Sequence, residues 1–324
     1  MTTWFIRRMI QAVLVMLTMT VIVFVGVFGI GDPIEILISP DADQAERLRA
    51  IAALGLDKPL WEQYWVFLKG ALHGDLGRSF VFNEPSLRLI AQRMPATLEL
   101  AITAVLLSVV VGIPLGLYAG LKPNSFSSRA IMAGSILGFS LPTFWVGLMF
   151  IMVFAVQLGW LPSTGRGQTA MLFGVPWSFL TLDGLRHMAM PALNLSLFNI
   201  SLVLRLTRSG VRETVLMDYV KFARAKGLSQ SRIIFVHVLK NIMIPVVTVV
   251  GLQFGSTIAF SVVTESVFAW PGMGKLIIDS INVLDRPVIV AYLMMVVLLF
   301  ITANLVVDIL YTVLDPRVRL GGRG

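Results

Sequence analysis

Residues 100–121 read Leu-Ala-Ile-Thr-Ala-Val-Leu-Leu-Ser-Val-Val-Val-Gly-Ile-Pro-Leu-Gly-Leu-Tyr-Ala-Gly-Leu, without one charge. A bilayer core about 30 Å thick is crossed by about 20 apolar residues in a helix, so this stretch is long enough to span. Five more stretches read the same way: Met9–Ile30, Ala130–Gln157, Met188–Leu204, Ile242–Thr264 and Val288–Val307. The third is longer than a span requires and is expected to tilt or kink near Pro142. Met188–Leu204 is the weakest, because it carries Asn194 and Asn199. The apolar core of Met9–Ile30 is too long for a cleaved signal peptide and no clean cleavage site follows, so it reads as a signal anchor.

Composition agrees across the 324 residues. Hydrophobic residues make up 56% and charged residues only 14%, against about 25% charged in ordinary globular chains. Mean hydropathy is +0.84. Cysteine is absent and there are 3 histidines, which removes disulfide frameworks, thiolate chemistry and multi-histidine metal sites. No metal site is expected.

The cations report topology. With the N-terminus placed in the cytoplasm, the inside segments hold 15 of the 26 Lys+Arg and 4 of the 18 Asp+Glu, while the outside holds 11 cations against 14 acids. The basic pI of 10.1 is therefore a positive-inside bias, and nucleic acid is not an expected partner. Both termini are placed in the cytoplasm.

Three parts follow: residues 1–30 with the first span, an external helical segment over 31–95, and a transmembrane core over 96–324. In the external segment, Pro59 followed by Leu60, Tyr64, Phe67, Leu68 and Leu72 predicts a helix opened by proline. Two or three short helices on the outer face are expected. Two further loops, Gly159–Gly165 and Ser266–Gly274, place aromatics beside Pro and Gly, as interfacial anchors or as parts closing one end of a path. Gly112, Gly116, Gly120, Gly134, Gly138, Gly251 and Gly255 recur at four-residue spacing and offer small faces for helix packing.

The most informative segment is the inside loop 205–241, with 8 cations. Leu216 to Leu228 reads as a helix stopped at Gly227, and a second helix opens at Ser229 or Ser231. Together they form a knob that is either an anchored interfacial pair or a docking element. No catalytic residues emerge. Gly272-Met273-Gly274-Lys275 fails the phosphate-loop pattern at Ala269 and Leu276, and His73, His187 and His237 lie in different loops. Asn194, Asn199 and Gln253 are the candidates to line an aqueous path, and equally to link helices. Glu265 and Asp308 are expected near span ends, in structural pairing.

The loop running from Asp218-Tyr219-Val220 through Ala223-Arg224-Ala225-Lys226-Gly227-Leu228 to His237, Leu239 and Asn241 resembles the coupling loop of ATP-binding-cassette importer permeases. It is similar to the dipeptide, oligopeptide and nickel branch. Leu54–Leu60, Gly74–Ser79, Pro95–Leu100, Gly159–Pro162, Glu265–Gly272 and Leu314–Arg319 extend the likeness in order along the chain, in the form of the first permease of the pair. The broader family's Glu-Ala-Ala positions are here Lys221, Phe222 and Ala223. A carboxylate at the first of them is therefore not what meets the ATPase.

The resemblance implies an all-α integral membrane fold, a six-transmembrane-helix bundle of the type I importer permease kind with a helical external segment after helix 1. It implies a bacterial inner membrane protein that forms half of a translocation pathway. Its partners would be a second homologous permease, two ATPase subunits, an extracytoplasmic solute-binding protein and membrane lipid. ATP and Mg would be bound by the ATPases, and this chain would hold no cofactor and catalyse nothing. Asp218, Lys221, Phe222, Ala223, Arg224, Ala225, Lys226, Gly227 and Leu228 would form the ATPase-coupling element. In that element Phe222 and Leu228 would supply apolar contact and Arg224 and Lys226 charge. Di- and oligopeptides lead as substrate; nickel, glutathione-like compounds and oligosaccharides follow. Apart from the resemblance, an ATP-independent channel or secondary carrier is the competing class.

Overall fold

The computed structural model describes residues 2–28, 43–53, 55 and 57–314. Sequence features at the end of Met9–Ile30, at Leu54 and Leu56 and at Asp315–Arg319 lie outside these residues, as does the side chain of Asp308. The described chain is almost wholly helical. In order it forms α1 (Thr2–Phe28), α2 (Gln44–Ala53), α3 (Leu60–Leu72), α4 (Ser86–Leu121), α5 (Phe126–Ser140), α6 (Thr143–Phe150), a hairpin of β1 (Ala170–Leu172) and β2 (Val175–Trp177), α7 (Leu182–Thr214), α8 (Asp218–Ala225), α9 (Gln230–Arg232), α10 (Lys240–Val267), α11 (Met273–Asn282) and α12 (Arg286–Leu314). Two π-helical stretches, Ile151–Gln157 and Ile233–Leu239, continue α6 and α9.

Among the described residues five helices are long and apolar enough to cross a membrane, or six when the bent pair α5 and α6 counts as one span. The expected kink at Pro142 is a break: the two arms differ in direction by 109°. Leu141 is extended at φ −78 and ψ 137, the conformation forced on a residue before proline, and Pro142 offers no N–H to continue the ladder. Other spans run longer than their charge-free cores. α4 begins at Ser86, well ahead of Leu100, and Gln230–Val267 is continuous through the π turn.

The chain divides into two compact units, Met1–Thr97 with Pro271–Ile301, and Leu98–Trp270 with Thr302–Gly324. In the first, α2 and α3 supply the short helices expected of the external segment, and Pro59 stands at the N-cap of α3. Asp285 is fully buried and fixes the Gly74–Ser79 turn: its carboxylate accepts from Ser79 Oγ and from the Phe80 N–H at 3.1 Å. Ser79 Oγ in turn accepts the Phe82 N–H at 2.9 Å. The Met273 N–H donates to Thr97 Oγ1 at 2.8 Å.

In the second unit α7 is the hub. More than half of its apolar window is buried, and Asn194, Ser196, Asn199, Ser201 and Thr207 are among its buried side chains. Its low hydropathy therefore reflects helices, not lipid, as its surroundings. Neighbours reach it through glycine. A Cβ at Gly116 would stand 2.6 Å from the Leu204 carbonyl oxygen and 2.7 Å from Thr207 Cβ. At Gly112 it would meet Val203 at 2.9 Å, at Gly120 Val211 at 2.7 Å, and at Gly138 Ser201 Oγ at 3.0 Å. Gly134, with the same spacing motif, faces nothing within 4 Å. The glycine faces at 112, 116, 120 and 138 thus pack within this chain.

Gly116→Val forces apart a backbone contact, at about 1–3 kcal/mol, whereas Gly134→Val meets open space. Thermal unfolding of the detergent-solubilised complex is expected to show a lowered midpoint for the first variant and an unchanged midpoint for the second. Equal midpoints would remove the packing role of Gly116.

Candidate functional site

The knob is built around one apolar cluster. Val211, Val220, Ala223, Ile233, Val238 and Ile242 are buried together, with Leu117, Leu121, Val215, Leu228 and Leu239 packed against them. Val220 and Ala223 are three apart and share the inner face of α8. Ile233 and Val238 are five apart, and the wider π turn between them brings both to the cluster. Gly227 ends α8 at φ +73, with its N–H on the Arg224 carbonyl at 2.9 Å and the Leu228 N–H on the Ala223 carbonyl at 3.3 Å. Those bonds satisfy two carbonyls that the helix end would leave bare. Ser229 then caps the next helix by accepting from the Arg232 N–H.

The outward face of the knob is apolar and basic. Phe222 is 62% exposed, and Leu216, Met217, Tyr219, Phe235 and Val236 are exposed with it. Lys226 Nζ stands 4.7 Å above the Phe222 ring, a cation–π contact. Lys221 Nζ donates to Asp218 Oδ1 at 2.9 Å, and this bond together with the ammonium charge holds the Asp218 carboxyl below its usual pKa. Asp218 in the first turn and Arg224 in the last both suit the helix dipole. Leu228 turns inward onto the cluster, because the left-handed Gly227 reverses the chain. Leu228 keeps part of its surface open while packing there, and Phe222, Arg224 and Lys226 are exposed.

The polar candidates within the bundle separate. Asn199 and Gln253, with Ser108, line a narrow crevice between α4, α7 and α10. Asn199 Nδ2 donates to Thr257 Oγ1 at 2.9 Å, and Gln253 Oε1 accepts from Ser256 Oγ at 2.5 Å. Asn194 lies elsewhere, donating to Thr264 Oγ1 at 3.2 Å. Both asparagines link α7 to α10. Glu265, close to the end of α10 as expected, is fully buried and accepts from Ser261 Oγ at 3.0 Å.

A second cluster, toward the end of α4 away from the knob, joins distant segments. Glu99 is 2% exposed. Its Oε2 accepts from Arg166 Nη2 at 2.7 Å and Nε at 3.2 Å, and its Oε1 accepts the N–H groups of Ser178 at 2.6 Å and Phe179 at 2.8 Å. Arg166 also donates to Ser178 Oγ at 3.0 Å and the Pro176 carbonyl at 2.8 Å, and lies 5.8 Å from the Trp270 ring centroid. The Phe268 carbonyl accepts the Gly165 N–H at 2.9 Å. The hairpin β1–β2 is thereby fixed to Glu99 within α4, and the loop before it to the end of α10. Trp270 is buried, so the expected interfacial anchoring fails there, while Trp160 is exposed and fits it. Sequence reading passed over Glu99 and Arg166. The available signal was a lone carboxylate abutting a charge-free span and a lone cation in residues 158–181.

The model of the family described as binding-protein-dependent transport system inner membrane component matches residues 112–320. A second, for the N-terminal part of binding-protein-dependent transport system membrane components, matches residues 1–101. This chain belongs to that family. The di/tripeptide transport system permease protein DppB of Pseudomonas aeruginosa (strain UCBPP-PA14) is 40% identical over 302 residues, 89% of this chain and 90% of that protein. The glutathione transport system permease protein GsiC of Escherichia coli (strain K12) is 37% identical over 320 residues, 98% of this chain and 99% of that protein. A solved structure of the MetNI methionine ABC transporter in inward facing conformations matches with a TM-score of 0.52 at 15% identity, over 70% of this chain and 96% of that one, a likeness of fold.

The chain is thus a multi-pass inner membrane permease subunit of an ATP-driven importer, with ATP hydrolysis in separate subunits. Membership sets aside the channel and secondary-carrier reading. It also brings ATPase and binding-protein partners to the permease.

Removing one partner of a buried ion pair leaves an uncompensated charge, at about 3–5 kcal/mol. Arg166→Met is expected to loosen the permease's hairpin, seen as faster proteolysis within residues 166–179 of the purified complex. Cleavage at the unmutated rate would show that the Glu99 pair does not hold the hairpin.

Proposed function

We propose that this permease forms half of a pathway for short peptides, completed by a second, homologous permease. Two ATPases dock on the α8 knob, and an extracytoplasmic solute-binding protein delivers substrate on the other side of the membrane. ATP and Mg belong to the ATPases, and this chain holds no cofactor of its own. Both termini are cytoplasmic, which the concentration of Lys and Arg in residues 205–241 supports.

The observation that carries the coupling role is the two-sided build of α8. Its inner face is locked into the Val211–Ile242 cluster while Phe222 and its neighbours stand exposed among cations. A rigid element with an unpartnered apolar face transmits a push, because packed interiors move as units. Asp218, Lys221, Phe222, Arg224 and Lys226 meet the ATPase. Ala223 and Leu228 set the angle at which they do so, with Ala225 and Gly227 completing the turn. Asn199 and Gln253 line the path at the crevice, and Asn194 braces it. The peptide assignment rests on the two relatives, one named for di/tripeptides and the other for glutathione.

Uptake of a labelled dipeptide by cells whose sole peptide importer contains this chain tests the assignment. Uptake is expected to be lost on deletion and restored by the gene on a plasmid; uptake that survives deletion overturns the peptide reading. Valine at Gly227 would have to adopt φ +73, at a strain of about 1–2 kcal/mol. Gly227→Val is expected to lower uptake roughly tenfold with the ATPases still bound and hydrolysing. Unmutated uptake by that variant would sink the coupling role.

A further inference from the structure

Helix α3 attaches to α1 within the apolar run. Tyr64 Oη and Thr20 Oγ1 share a hydrogen bond of 2.9 Å. Phe24 meets the Tyr64 ring edge-on at 5.3 Å and stacks on Phe67 at 6.0 Å. The membrane-length stretch of α1 is Ile6–Gly26, so at 1.5 Å per residue Thr20 lies about 9 Å short of the end from which the chain continues. A helix tied there does not float in water above the bilayer. Its thirteen residues make about 20 Å of helix, too little to cross.

A second face of α3 is apolar and exposed. Trp61 is 69% exposed, Trp65 65% and Leu72 78%. With Leu68 they follow a four–three–four spacing that puts them on one helix face. Glu62 and Lys69 are the helix's only charges; they are seven apart and share a different side. α1 also exposes apolar side chains at this level, Leu17, Val21, Ile22 and Val25, which flank Thr20 and Phe24 in the chain. Tryptophan favours the boundary between headgroups and acyl chains, where its ring is buried and its N–H stays hydrated.

We propose that α3 is an interfacial membrane helix whose Trp61, Trp65 and Leu72 face lies in lipid, with the Thr20–Tyr64 bond setting its depth. It holds the segment after the first span down on the bilayer instead of leaving it free in the aqueous compartment. This inference needs only that α1 spans the membrane and is independent of the substrate.

The chain has no cysteine, so one introduced residue labels one site of this subunit. Nitroxides at Trp61→Cys, Trp65→Cys and Leu72→Cys in the complete importer, with label-reactive cysteines of its other subunits removed, reconstituted in phosphatidylcholine bilayers, are expected to collide with oxygen far more than with a water-soluble nickel chelate. Their depth should be roughly 5–10 Å into the headgroup–acyl boundary. A label at Lys58→Cys provides the aqueous reference. Nickel accessibility equal to that reference overturns the proposal, and so does shielding from both reagents, which would mean that a protein subunit covers the face. The paired substitution Trp61→Phe with Trp65→Phe keeps the helix aromatic. It is expected to reduce quenching of intrinsic fluorescence by bromolipid, and quenching unchanged from the parent protein also overturns the proposal.

Discussion

Lipid tails are as apolar as leucine, so water does not drive helices together once they are inserted; close backbone packing and interhelical hydrogen bonds do. In the second unit those approaches converge on α7. Gly112, Gly116 and Gly120 bring α4 against it, Gly138 brings α5, and Gly147 brings α6 to within reach of Asn194. Gly210, on α7 itself, admits Ile242. The amides of Asn194 and Asn199 then reach threonines of α10. A helix so enclosed needs no lipid-soluble face, which is why the most polar span is also the most buried.

Charge is handled by the same economy of exposure. Glu99 would be costly beside a span if left alone, but both of its oxygens are occupied by a guanidinium and two backbone N–H groups. The pair joins residues 67 positions apart in the chain. It gives a short hairpin, marginal on its own, a fixed seat. Asp285 does the same service for the turn at Ser79 in the first unit. Glu99 and Asp285 are thus fastenings between segments.

The knob and α3 show two ways of leaving apolar surface exposed. On the knob, Phe222 and Tyr219 stand among Lys221, Arg224 and Lys226, a mixed face suited to protein. On α3, two tryptophans and a leucine share a face that carries neither of the helix's two charges, on a helix anchored beside a span. Exposure alone does not distinguish these cases; the neighbouring charge and the depth of attachment do.

Much of this was legible in the chain. Charge-free runs of about 20 residues fix the spans because nothing else in a bilayer satisfies a backbone, and Pro59, Pro142 and Gly227 mark their turns because their φ angles and missing groups are local properties. The knob sequence is likewise local, since a helix, a glycine and a capping serine lie within Asp218–Ser229. What tertiary structure alone decided is non-local. Pro142 announces a break but not its 109°, and four-residue glycine spacing does not say that Gly116 is in contact while Gly134 is open. Leu228 facing inward, Asn199 meeting Gln253 at one crevice, and Glu99 choosing Arg166 all depend on which helix stands opposite. Sequence sets what each segment can satisfy by itself; packing decides which distant groups satisfy the rest.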